Sequence, residues 1–354
     1  MAIWGVLRSL FGGASTASSN EEIDSFLEES HTETVAQIVA APVEEPAFEA
    51  PQEAQWWVPR GAPVMAPRRA DDKKGVVEAR LYREIVGILD DPNLDLPRVP
   101  HVSQRALGML RNDTVNFSEL AKVIGTDAAL AGEFLRIANT AAYRRVSEVK
   151  RLDQALPRLG ERKIRALLIA TAARGLSIRN GDVEQEWSEE LWRRGLASAA
   201  ICVEFSKDSK VAEEDAFLAG LMHDIGMLAV LKVVFEYRAK TGERTTRPVF
   251  DQLCEEWHQH IGLRLADAWN LPNPIPEIIA SHHKRPSQDD PNRDLRLLTQ
   301  FSDVCCSMME FAPYTPFDFF ELDCVRRLRI TPEPNMLRRL AALPEQIGEQ
   351  LEVE

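Results

Sequence analysis

From Val76 onward apolar residues recur at helical spacing, whereas from about Gly12 to Lys74 they show little sustained period. Leu81, Ile85 and Leu89 stand four apart, and Val102, Leu107 and Leu110 carry the period into the next segment. The pattern predicts a third helix from Phe117 to Ile124, capped by Asn116, and a fourth from Ala128 to Tyr143, capped by Asp127. Leu130, Phe134, Leu135 and Ala138 mark the buried stripe of the fourth. Pro157 and Gly160 read as a break, followed by a helix from Glu161 to Arg174 that turns Ile164, Leu167, Leu168 and Ala170 inward.

The polar stretch from Asn180 to Glu186 reads as a turn between two lobes. Further helices are predicted from Leu191 to Phe205, Ala212 to Asp224, Leu228 to Tyr237, Phe250 to Trp269, Ile275 to His282 and Leu295 to Met309. Beyond them Pro313, Pro316, Pro332, Pro334 and Pro344 separate short helical stretches that are expected to cap the second lobe. Alternating strand patterns are scarce. The expected fold class is therefore all-α, with a helical lobe over residues 76–183, a second over 184–310 and an extension over 311–354.

Residues 1–75 form a different kind of sequence. They are rich in Ala, Glu, Pro and Ser, a composition that cannot bury enough apolar surface to offset ordering entropy, so a disordered acidic arm is expected. At its start Ile3, Trp4, Leu7, Leu10 and Phe11 would share one face of a helix, which suits a docking peptide or weak contact with a membrane surface. Trp56-Trp57-Val58 reads as scattered apolar residues in the arm, with docking on a partner or on the body as the alternative.

Composition narrows the function classes. Of 354 residues 45% are hydrophobic, enough for a sizeable core, and the net charge of −13 makes nucleic acid an unlikely main partner. Five cysteines without a C-x-x-C spacing point to a reducing, cytoplasmic setting. No stretch approaches ~18 uninterrupted apolar residues, the length of a membrane-spanning helix. A local basic cluster of Arg144, Arg145, Lys150, Arg151, Arg158, Arg162, Lys163 and Arg165 reads first as a solvated helical face and second as a site for an anionic partner.

The pair His223-Asp224 carries the clearest chemistry, because an adjacent imidazole and carboxylate at a helix end can share one metal ion. Around it, Leu96-Pro-Arg-Val-Pro100, Asp127-Ala-Ala-Leu-Ala131, Leu135-Arg-Ile-Ala-Asn139, the turn from Ala155 to Gly160, Trp192, Phe217 to Gly226, Gly262, Trp269-Asn-Leu-Pro272 and His282-His283 follow in an order that resembles the HDOD domain of bacterial signalling proteins. That family is a divergent branch of the HD superfamily of metal-dependent phosphohydrolases. The resemblance spans about Leu96 to Met309 and implies a helical first lobe packed on an HD-like second lobe.

The resemblance also implies a ligand set: His223, Asp224, His258, His282, His283 and Asp303 match metal-binding positions, suited to Mn, Fe, Zn or Mg. Three departures oppose catalysis. Arg194 occupies the early histidine position, and a guanidinium neither ligates a cation nor loses its charge. Met227 stands where phosphohydrolase relatives carry a lysine, and Lys284-Arg-Pro-Ser287 lacks the segment of cyclic-dinucleotide phosphodiesterases. The preferred reading is a regulator with no cofactor, in which Arg194 pairs with Asp224 and Asp303 in a degenerate site. Its expected partner is a protein of a signalling pathway: a kinase, a nucleotide-turnover enzyme or a regulator. A retained structural ion and a metal-dependent phosphohydrolase are the alternatives. His260, His101 and His31 have no evident partner, and Cys305-Cys306 reads as packed core.

Overall fold

Helical periodicity is realised as fourteen α-helices among the described residues, with no strand among them. The computed structural model describes Trp56 and residues 72–111, 114–140, 148–180, 182–309 and 319–351. The arm's terminal peptide, Trp57, Val58, His31, Arg144 and Arg145 lie outside the described residues.

The first lobe begins after α1 (Asp72–Leu89) and consists of α2 (His101–Met109), α3 (Phe117–Ile124), α4 (Ala128–Ala138), α5 (Leu152–Leu159) and α6 (Glu161–Arg174). Asn116 caps α3 by accepting from the Ser118 and Glu119 amides, and Asp127 caps α4 by accepting from the Leu130 amide. The fourth helix stops at Ala138 rather than Tyr143, because Asn139 leaves the helical path and its side chain bonds both the amide and the carbonyl of Val149. Pro157 lies inside α5, and the break falls at Gly160, whose φ of 79° favours glycine.

The second lobe is built on α7 (Val183–Ser206), α8 (Glu213–Met222), α9 (Ile225–Thr241), α10 (Arg247–Trp269), α11 (Ile275–Ser281) and α12 (Arg293–Met308). The turn expected over Asn180–Glu186 is largely the first part of α7. Its polar residues hide their reason for being helical. Glu184 is 3% exposed and ion-paired with Arg238, while Trp187 stacks on Phe250 with ring centroids 4.9 Å apart. Helix α7 packs along α8 and α12, α9 along α10, and α6 against α8, which joins the lobes. α1 packs on α9 and α10, fastened by Arg80–Glu243 at 2.7 Å and by the Tyr237 hydroxyl donating to Glu84.

By length and composition Glu213–Thr241 passes as a membrane-crossing stretch, which the sequence reading excluded. In the fold it is two helices, α8 and α9, interrupted at His223 and Asp224, and 83% of its most apolar window is buried inside the protein.

The extension contains a 3-10 turn (Phe319–Glu321), α13 (Asp323–Arg327) and α14 (Pro334–Leu351), the last packed on α7. Pro344 does not separate two short helices as expected; α14 runs through it. Trp56 is not a scattered apolar residue either. It is 8% exposed and lies edge-on against Phe319, with centroids 5.4 Å apart. The basic cluster is not one solvated face: Lys163 is buried 3.2 Å from Glu214, and Arg165 donates to the Leu110 carbonyl.

Candidate metal centre

The His-Asp doublet sits where α8 ends and α9 begins. His223 closes α8, and Asp224 precedes α9 with its side chain making no capping bond to that helix, which leaves the carboxylate facing inward near the positive helix start. Helix α10 supplies His258, the end of α11 supplies His282 and His283, α12 supplies Asp303, and α7 supplies Arg194. His223 and His282 are each 1% exposed and His258 is 3% exposed, whereas His283 opens to the surface. His260 and His101 are exposed and take no part.

The two oxygens of Asp224 face two different groups. On one side, Arg194 Nη2 stands 3.3 Å from Asp224 Oδ2 and donates a short hydrogen bond to Asp303. Asp224 and Asp303 thus hold a guanidinium between them. Burial alone would lower the Arg194 pKa, but the two carboxylates outweigh it and hold the charge in place. Burial likewise opposes a charged Asp224, yet His223 and Arg194 keep its pKa well below the ordinary carboxylate value.

On the other side, Asp224 Oδ1 lies 3.3 Å from His282 Nε2 and 3.6 Å from His258 Nε2, and His283 Nε2 is 3.2 Å from His258 Nε2. The tautomers follow from the outer shell. His258 Nδ1 lies 2.7 Å from the Cys254 carbonyl, and His282 Nδ1 lies 3.2 and 3.1 Å from the Ile278 and Ile279 carbonyls. A carbonyl only accepts, so each Nδ1 carries a proton, and each ring turns its Nε2 toward Asp224. His258 and His282 Nε2 are 3.3 Å apart, a repulsive approach of two lone pairs unless a cation or an extra proton lies between them. Burial, together with the neighbouring imidazoles, lowers the pKa of His258 and brings that of His283 to about 4, so both are neutral ligands at pH 7.

These residues fit one divalent ion: Asp224, His258, His282 and His283 offer ligand atoms that all lie within 4.8 Å of one another. An ion held there would supply Lewis acidity and a more acidic bound water. The second group, His223, Asp224 and Asp303, is equally compact. Arg194 already brings a cation to it. His223 Nδ1 lies 2.9 Å from the Gly220 carbonyl, and its Nε2 has no hydrogen-bond partner although Asp224 Oδ2 is 3.3 Å away. Burial disfavours the imidazolium, but Asp224 outweighs it and pushes the His223 pKa up.

Space beside the doublet is small. The cavity lined by Trp192, Arg194, His223, Asp224 and Met227 measures about 10 Å³, room for roughly one water. Larger cavities of about 260 Å³ by Arg179 and Lys232, and about 240 Å³ by Arg111 and Arg165, lie away from it.

The carbonyls that receive the imidazole Nδ1–H groups and the crossing of α9 over α10 have no local signal in the sequence. A Cβ on Gly226 would lie 2.8 Å from the Gly262 amide nitrogen. The two glycines were visible as motif residues; their closeness was not.

Comparison with known proteins agrees with this architecture. The HDOD domain model matches residues 96–285. An uncharacterized protein of Treponema pallidum (strain Nichols) is 25% identical over 252 residues, 68% of this chain and 48% of its own length, so the chain spans about half of that relative. Among solved structures, a protein from Shewanella amazonensis SB2B named "Putative metal-dependent phosphohydrolase" aligns with a TM-score of 0.62 at 22% identity, covering 78% of this chain and 99% of its own. An HDOD domain protein with unknown function from Geobacter sulfurreducens aligns with a TM-score of 0.54 at 19% identity, over 79% and 99% of the two chains. A "Putative signal transduction protein" from Marinobacter aquaeolei VT8 gives 0.53 at 15%, over 78% and 66%. At such identities the likeness is one of fold.

Proposed function

As the chain belongs to the HDOD domain family, whose model covers more than half of it, we propose that it is a cytoplasmic bacterial signalling regulator acting through protein contacts rather than by turnover. The observation that supports this most directly is the Arg194 guanidinium, buried between Asp224 and Asp303. It puts a fixed positive charge and a bulky planar group among three of the residues that a two-ion hydrolytic centre would use. The ~10 Å³ cavity beside the doublet supports the same reading, since small-molecule sites are usually about 300 Å³ or more. Five free, buried cysteines suit a reducing compartment. The partner is a protein of a signalling pathway, such as a kinase, a nucleotide-turnover enzyme or a transcriptional regulator.

One observation favours the alternative of a metal-dependent phosphohydrolase. Asp224 Oδ1 and the converging imidazoles form a group open to the surface at His283, and a single ion there could bind a phosphoester from outside. A panel of nucleotide and phosphoester substrates with added manganese separates the readings. The regulator shows no turnover above an Asp224→Ala variant, and turnover that disappears in that variant establishes the hydrolase.

A further inference from the structure

Proline inside a helix removes the N–H that would bond the carbonyl four residues earlier, and its ring crowds that carbonyl. Pro344 lies inside α14, so the affected acceptor is the carbonyl of Leu340. That oxygen receives a hydrogen bond from another part of the chain: Trp56 Nε1 donates to it at 2.7 Å, across 284 positions of sequence. The indole is buried, and Phe319 meets it edge-on with centroids 5.4 Å apart. Pro344 itself is exposed, while Leu340, Leu343 and Ile347 are buried, at 0, 1 and 1% exposure. The helix therefore keeps its apolar stripe on the body and gives up one internal hydrogen bond.

We infer that the C-terminal extension carries an indole-binding socket, created by Pro344 and walled by Phe319, and that Trp56 fills it as a strap tying the N-terminal arm to the helical module. The kind of group it fits follows from its parts. An indole offers one donor and no acceptor, with a broad apolar ring, and the socket offers one freed carbonyl against an aromatic edge. Phenylalanine lacks the donor. The strap is placed to matter for the metal centre: Phe319 lies 5.9 Å from Phe301, which stands two positions before Asp303 on α12 and 4.7 Å from Phe205 of α7. The inference is independent of whether the centre binds metal.

The test is hydrogen exchange of the indole N–H groups in the full chain, read by NMR with indole nitrogens labelled and the Trp56 signal identified by its loss in Trp56→Phe. The strap predicts a protected Trp56 N–H. Pro344→Ala and Pro344→Gly both restore the amide that competes for the Leu340 carbonyl, but one favours the helix and the other disfavours it. Both are expected to lower the protection about fivefold or more, the scale of one net hydrogen bond. A freely exchanging Trp56 N–H in the unaltered chain overturns the inference. So does protection that survives either substitution, since loss in one variant alone reports helix stiffness rather than the carbonyl.

Discussion

Gly226 presses directly on the backbone of His258: a Cβ built on the glycine would stand 1.9 Å from the His258 carbonyl oxygen. The doublet's helix and the helix of the first imidazole ligand are therefore locked together by the absence of a side chain. Backbone cannot retreat as a flexible side-chain end can, so a single methyl group must push α9 away from α10.

Gly226→Ala is accordingly expected to destabilise the fold by about 1–3 kcal/mol or more. Urea unfolding midpoints check this. Gly348→Ala, where a Cβ meets nothing within 4 Å, serves as the control and is expected to be neutral or mildly stabilising. Equal effects at the two positions would contradict the locked crossing.

Acid sensitivity follows from the imidazoles. Burial depresses the pKa of His258, and that of His283 to about 4, below the value of an unfolded histidine near 6.5. The unfolded chain then binds more protons between pH 6.5 and 4, so these groups make stability fall as pH drops through that window. His223 has the opposite sign: its raised pKa contributes stability that is complete below about 6.5 and is lost as pH rises through the folded value. His283→Gln is expected to flatten the decline between pH 6.5 and 4, measured as urea midpoints across the range. An unchanged slope would remove His283 from the account.

The sequence carried the fold because apolar period and cap chemistry are local properties. Asn116 and Asp127 could be named as caps from their neighbours alone, and both bond as expected. Where distant residues decide, local reading failed. The start of α7 looked like a turn because Glu184 is charged, but Arg238, fifty-four positions away, makes it a buried ion pair. Pro344 looked like a helix boundary, but α14 runs through it, and Trp56, far off in the sequence, donates to the Leu340 carbonyl one turn earlier. At the centre, residue types identified which side chains could meet. The division of Asp224 between a guanidinium and an imidazole group required the meeting of six helices, α7 to α12, which spacing does not encode.

All five cysteines are buried and free. Burial pushes the thiol pKa of Cys202 up to about 12 and of Cys324 to about 11, so almost no reactive thiolate is present at pH 8. The native protein is expected to react with a soluble disulfide reagent at fewer than one thiol per chain within minutes, and at all five once unfolded. Rapid native labelling of Cys305 or Cys306 would show that α12, which also carries Asp303, opens far more readily than its packing implies.

Arg194 gives the sharpest separation between a one-cation and a two-cation centre. Removing it by Arg194→Ala leaves Asp224 and Asp303, with side chains 11 and 21% exposed, without their shared positive partner. Breaking a buried pair in this way typically costs about 3–5 kcal/mol, and the partial exposure of Asp303 places this case toward the lower figure. Divalent metal should then recover part of the loss, because an ion can take the vacated charge position between the carboxylates. Arg194→His adds a neutral nitrogen ligand to His223, Asp224 and Asp303 in place of the guanidinium. Metal content after loading with manganese and desalting is expected not to exceed one ion per chain in the unaltered protein and to rise by up to one more in Arg194→His. If both proteins hold the same amount, and Arg194→Ala unfolds at the unaltered midpoint, the guanidinium is not acting as the cation of that half of the site.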